Sequence, residues 1–215
     1  MEPHRPSPFA PLTGVGVLIL AIAMFAVGGS APDPSDDSAA QIADFYAQNK
    51  IRVTASIMIA VAVAGLLVAF AAQVRQLVGG SSGVLADILF AGAIVFAAGF
   101  AVDAGITGAL ATNAGEVDDA ALVSLSALFY SNYLYVVGGG LFLGATGLAA
   151  ARHAVLPKGL GFAMVALGAT AVTPVGGLTF FAMLLLPAVL GLILSRRARR
   201  TPPTSSILER HPQAA

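Results

Sequence analysis

The sequence predicts an all-α fold: a polytopic transmembrane bundle of about six spans, with a short amphipathic helix in the first outer loop. Three observations lead there. Apolar residues make up 57% of the chain and charged ones only 10%, against about 25% charged in an ordinary soluble domain. The apolar residues gather into charge-free stretches, the longest covering residues 159–195 and broken only by Thr173-Pro174-Val175-Gly176-Gly177. About 20 apolar residues at 1.5 Å rise cross a bilayer's hydrocarbon core, so this stretch is long enough to cross twice. Strong period-2 alternation is missing, which argues against a β-barrel. Lipid offers the backbone no hydrogen-bond partner, so the spans must be helices.

The first span covers residues 9–29. Its alternative is a signal peptide, with Arg5 as a short basic region and Gly29-Ser30-Ala31 as a small-residue cleavage site; the apolar run from Pro11 to Val27 exceeds the usual ~7–15 residues. Ala31-Pro32-Asp33-Pro34 then breaks the helix. Ser38-x-x-Gln41 reads as a capping box, followed by Ile42, Phe45, Tyr46 and Asn49 at i, i+3, i+4 and i+7. That is a short amphipathic helix on the outer interface or capping the bundle. Residues 52–72 form the second span, ending before a Gly79-Gly80-Ser81-Ser82-Gly83 turn. Residues 85–108 form the third, followed by a polar turn from Asn113 to Asp119. The fourth covers 127–151 and stops before Pro157-Lys158-Gly159. The fifth, 160–173, is short, and a re-entrant hairpin for the last two segments is its alternative. The sixth covers 177–194, with Pro187 expected to kink it by freeing the Met183 carbonyl. Residues 1–195 are expected to form one domain, and 196–215 a basic, disordered tail.

Loop charges alternate in sign. Arg5, Arg75, Arg152 with Lys158, and the Arg196, Arg197, Arg199 and Arg200 group mark one side. Asp33, Asp36, Asp37 and Asp44, then Glu116, Asp118 and Asp119, mark the other. The positive-inside rule places both termini in the cytoplasm of a plasma-membrane protein. Lys50 and Arg52 break the pattern at the outer end of the second span, where long basic side chains can snorkel to the interface. The tail arginines read as topology determinants rather than as a lipid-recognition site.

Two acids fall inside apolar runs. A charge deep in a bilayer costs about 2.5–3.5 kcal/mol on insertion scales, so each requires a reason. Asp87 and Asp103 are separated by about 24 Å of helical rise and about 160° of rotation, too far for a shared-proton pair. Asp87 is expected to form an ion pair with Arg75 at the inner end of the third span. Asp103 shares a helical face with Gly92 and Gly99, which should turn into the bundle. It has two readings: an ion pair with Arg52, or part of a polar site open to the outside. Asn132, in Phe129-Tyr130-Ser131-Asn132-Tyr133-Leu134-Tyr135, lies near the same end of the fourth span and should face neighbouring helices. It reads as interhelical glue or as a ligand-binding group. Tyr130, Tyr133 and Tyr135 read as an outer aromatic belt, and Gly140-x-x-x-Gly144 as a tight-packing motif. The candidate polar cluster is therefore Arg52, Asp103 and Asn132, and the candidate inner anchor pair is Arg75 with Asp87.

Several chemistries fall away. The chain has no Cys, hence no disulfide, iron–sulfur cluster or thiol relay. His4, His153 and His211 lie outside the spans, so haem or di-iron ligands do not face one another across the bundle. GxSxG, HExxH and P-loop motifs are missing. No cofactor, metal or nucleic acid is expected. The lipid bilayer is the expected partner, with a membrane-protein partner or second copy left open.

The layout resembles uncharacterised bacterial six-span membrane proteins of domain-of-unknown-function type. The matching features begin with an acidic loop ending in Ile42-Ala43-Asp44-Phe45-Tyr46-Ala47-Gln48-Asn49 and a span closing in Arg75. They continue with an aromatic-plus-Asn start to the fourth span, Leu156-Pro157-Lys158-Gly159-Leu160-Gly161 before the fifth, and an Arg-rich end. The resemblance implies no known activity. The leading expectation is a non-catalytic membrane component or accessory subunit, whose polar residues are consumed by one another. A small-solute permease with a polar pocket near the outer face is the second, and a membrane-embedded enzyme the third. Apolar centres in the third and sixth spans weigh against the permease unless broken backbone at Gly138-Gly139-Gly140 lines a cavity.

Overall fold

A computed structural model describes residues 12–79, 83–113, 115–153, 156–173 and 177–200. Residues 1–11 with His4 and Arg5, residues 80–82, Ala114, residues 154–155 and 174–176, and the residues from Thr201 on with His211 lie outside them. Regular structure among the described residues is entirely helical. The helices are α1 (Thr13–Gly28), α2 (Ala39–Gln48), α3 (Lys50–Gly79), α4 (Gly83–Asn113), α5 (Asp119–Tyr130), α6 (Leu134–His153), α7 (Lys158–Ala169) and α8 (Gly177–Arg200), with a 3₁₀ turn at Thr170–Val172. Lys50–Val78, Gly83–Asn113, Asp119–Arg152 and Gly177–Arg196 are long and apolar enough to cross a membrane; Thr13–Gly28 and Lys158–Val172 are apolar but shorter.

The capping box at the start of α2 is present: Ser38 Oγ accepts from the Gln41 N–H while Gln41 Oε1 accepts from the Ser38 N–H. Ile42 and Tyr46 of the predicted apolar face are buried. They pack against Val53 of α3, Leu110 and Ala111 of α4, and Leu122 of α5. Thus α2 and α5 together close one end of the bundle, the end where α4 finishes at Asn113.

The long helices form a ring. α1 packs on α3, α3 on α4, α4 on α6, α6 on α8, and α8 returns to α1, with α7 flanking α6. Leu67, Phe70, Leu89, Phe96, Phe142 and Met183 fill its interior. Small residues set the closest crossings. A Cβ on Gly92 of α4 would fall 2.6 Å from the Phe142 nitrogen and 2.8 Å from the Gly138 oxygen of α6. Backbone meets backbone there, which only glycine permits. The Gly140-x-x-x-Gly144 region packs on α7: Gly140 lies on Gly168 and Ala171, and a Cβ on Gly168 would sit 2.8 Å from the Gly144 nitrogen. Pro187 lies inside α8, its carbonyl against Gly14 of α1.

The helices outrun the expected spans at several ends: α3 continues to Gly79, α4 to Asn113, and α8 to Arg200, so residues 196–200 of the expected disordered tail are helical. One expected span is also divided. The expected unbroken fourth span is two helices, interrupted at residues 131–133. Neither Pro nor Gly causes the break. The Asn132 side-chain oxygen accepts the Leu134 N–H at 3.2 Å, so a side chain takes the donor that continued helix would use.

Candidate functional site

The break between α5 and α6 faces Asp103 of α4. Asn132 spends both amide hydrogens on α4: one goes to Asp103 Oδ1 at 2.8 Å, the other to the Gly99 carbonyl at 3.0 Å. Three residues later, in the first turn of α6, the Tyr135 hydroxyl donates to Asp103 Oδ2 at 2.6 Å. Each carboxylate oxygen therefore accepts one strong, charge-assisted bond. Glycine makes this geometry accessible: a Cβ on Gly99 would lie 2.8 Å from Tyr135 Cε1, so the ring rests on α4 one turn before Asp103. Phe96, Phe100 and Phe180 hold that ring at centroid distances of 5.1, 5.2 and 5.0 Å in edge-to-face packing, the preferred aromatic arrangement.

Asp103 also lines a cavity of about 420 Å³ between the ends of α1, α3 and α4, the cap helices, Tyr135 and Phe180. That volume lies within the ~300–1,000 Å³ range of small-molecule sites. Phe25, Phe45, Tyr46, Phe100, Phe129, Tyr130, Tyr135 and Phe180 supply aromatic wall, and Ser30, Ser56 and Thr107 supply hydroxyls. Asp103 contributes the one charge among the described lining residues. Tyr130 ties the cap to the end of α1 by donating to the Ala31 carbonyl at 2.8 Å. Burial pushes the Tyr46 phenol up to about 12, and the charges of Tyr130 and Asp103 add to the shift; Tyr46 is thus a neutral hydroxyl at ordinary pH.

The structure does not bring Arg52 to Asp103. The Arg52 Nε donates to the Val27 carbonyl at 3.2 Å and Nη1 to Asn49 Oδ1 at 3.3 Å, holding the end of α1 to the start of α3. The expected Arg52–Asp103 pair is replaced by these bonds, because Gly29 leaves room beside the guanidinium (a Cβ there would be 3.1 Å from Nη2). Gly29 has φ of +74°, which favours glycine. The other expected pair is close: Arg75 Nη2 lies 2.8 Å from Asp87 Oδ1, with the guanidinium also over the Phe90 ring at 5.3 Å. Among the residues whose side chains are described it is the one ion pair within 4 Å, so none of their basic side chains contacts Asp103. Nor do three His, Cys, Asp or Glu side chains come together among them.

Sequence reasoning placed Tyr135 in an interfacial belt, but its hydroxyl turns inward onto Asp103. The usable signal was spacing: Asn132 and Tyr135 are one turn apart, opposite a glycine that vacates the facing helix. Tyr133 and Tyr130 remain exposed. Comparison with protein-family models, curated proteins and solved structures finds no match to this chain.

Proposed function

We propose that this chain is a multi-pass membrane protein that binds a small solute in the Asp103 cavity, as a permease does. In this reading all six apolar segments enter the bilayer, both termini are cytoplasmic, and α2 and α5 form an outer cap over the site. The alternating loop charges support that orientation. Large exposed side chains such as Ile22, Met58, Phe162, Phe181 and Leu185 on the outside of the ring suit a lipid solvent. The observation that carries the solute site is a half-buried carboxylate, without a basic side chain against it, on the wall of a ligand-sized cavity. Irregular backbone at membrane depth is tolerated where it lines a cavity, and the 131–133 break lies beside this one.

The non-catalytic component keeps one observation in its favour: both Asp103 oxygens already accept bonds from the protein. The enzyme reading has less, since the described lining residues include no second carboxylate or imidazole to complete an acid–base pair. Because the chain lacks Cys, a Thr107→Cys variant places a single thiol in the cavity wall. In folded, purified protein that thiol should react with neutral methyl methanethiosulfonate within minutes. Reaction only after denaturation would show a closed interior and return the protein to the component reading.

A further inference from the structure

The lining chemistry points further, and we infer that the cavity takes an organic monocation: an ammonium group at Asp103 with an apolar body against the aromatic wall. This rests on the solute-site reading above. Anions are disfavoured because no basic residue is among the described lining residues, and the single charge among them is negative. A divalent metal ion is disfavoured because Ca²⁺ or Mg²⁺ requires about six or more oxygen ligands, whereas Asp103 is the single carboxylate among the described lining residues. A dication would leave one charge unpaired in a half-buried site, a costly arrangement.

A monocation matches on three counts. Each Asp103 oxygen accepts one bond, from Asn132 or Tyr135, and a carboxylate has about four lone-pair sites, so acceptor capacity remains. Asn132 and Tyr135 fix the carboxylate's direction while neutralising none of its charge. The aromatic side chains Phe45, Tyr46, Phe129 and Phe180 surround the same space, and ring faces attract ammonium groups through their quadrupole. Tyr46 stays neutral at ordinary pH, so it adds aromatic surface without further charge. Substituted ammonium ions, whose alkyl groups bury apolar area and whose charge is spread, meet both halves of this lining.

Thiol chemistry at Thr107→Cys, one turn beyond Asp103 on α4, tests the assignment in the full chain. The trimethylammonium-ethyl methanethiosulfonate reagent should react at least tenfold faster than the sulfonatoethyl reagent, beyond their ratio on free cysteine. Excess benzyltrimethylammonium should slow the reaction several-fold, and benzoate should not. Adding Asp103→Asn should bring the rate ratio back to that of free cysteine, whereas Asp103→Glu should keep a cationic preference. A ratio unchanged by Asp103→Asn, or no protection by benzyltrimethylammonium, overturns the organic-cation assignment yet leaves a cavity open to neutral solutes. If neither charged reagent nor the neutral one reacts, the solute site itself falls. Monodisperse elution of every variant separates these outcomes from misfolding.

Discussion

Two carboxylates on α4 are held in opposite ways. Asp87, near the Gly83 end, meets a guanidinium at 2.8 Å, and the two side chains are 65% and 49% exposed. Water can solvate both partners, so the pair is an anchor of modest strength. Asp103, toward the Asn113 end, is half-buried and meets an amide and a phenol instead of a cation. The first arrangement satisfies charge with charge. The second orients the charge by hydrogen bonds and sets it on a cavity wall, as the proposed solute site requires.

That contrast can be broken most severely from below the site. Gly92→Val would drive a side chain into the α6 backbone at Gly138 and Phe142, and should destabilise by about 3 kcal/mol, the upper end of overpacking costs. Gly105→Val on the same helix, where a Cβ meets nothing within 4 Å, should cost less than about 1 kcal/mol. Thermal or denaturant unfolding in detergent measures both. Equal costs would show that the α4–α6 crossing is looser than the structure has it.

Next in size is the Asp103 network. Tyr135→Phe and Asn132→Ala each remove a charge-assisted bond and should cost about 1.5–3 kcal/mol. Each should be coupled to Asp103→Asn by more than about 0.5 kcal/mol in a double-mutant cycle. Additive losses would mean that the bonds are not made in solution. Smaller still, Asp87→Asn should change stability by no more than about 1 kcal/mol, and a larger loss would give that exposed pair a role it lacks here. Smallest of all, Arg52→Ala and Asp103→Asn should be additive within about 0.5 kcal/mol, because the two side chains share no partner. Measured coupling there would restore the ion pair.

Much of the framework is legible in the sequence because it rests on periodicity and composition. The six apolar segments, the α2 capping box and the inward glycine face of Asp103 all follow from spacing along one helix. What the sequence hides is which residues of different helices meet. Arg52 and Asp103 are both charged and both near one end, yet rotation about their helix axes sends Arg52 to Val27 and Asn49. Tyr135 looks like its neighbours Tyr130 and Tyr133. The break at 131–133 changes its direction, and no Pro or Gly announces that break. The cavity is hidden for the same reason, since its wall is assembled from α1 through α6 and α8.

The most direct test of the contrast between the two carboxylates is calorimetric titration of benzyltrimethylammonium into wild type, Asp103→Asn and Asp87→Asn in detergent. Wild type and Asp87→Asn should bind with the same affinity, and Asp103→Asn should bind at least tenfold more weakly. Equal binding by Asp103→Asn, or loss of binding in Asp87→Asn, would contradict a cation site at Asp103.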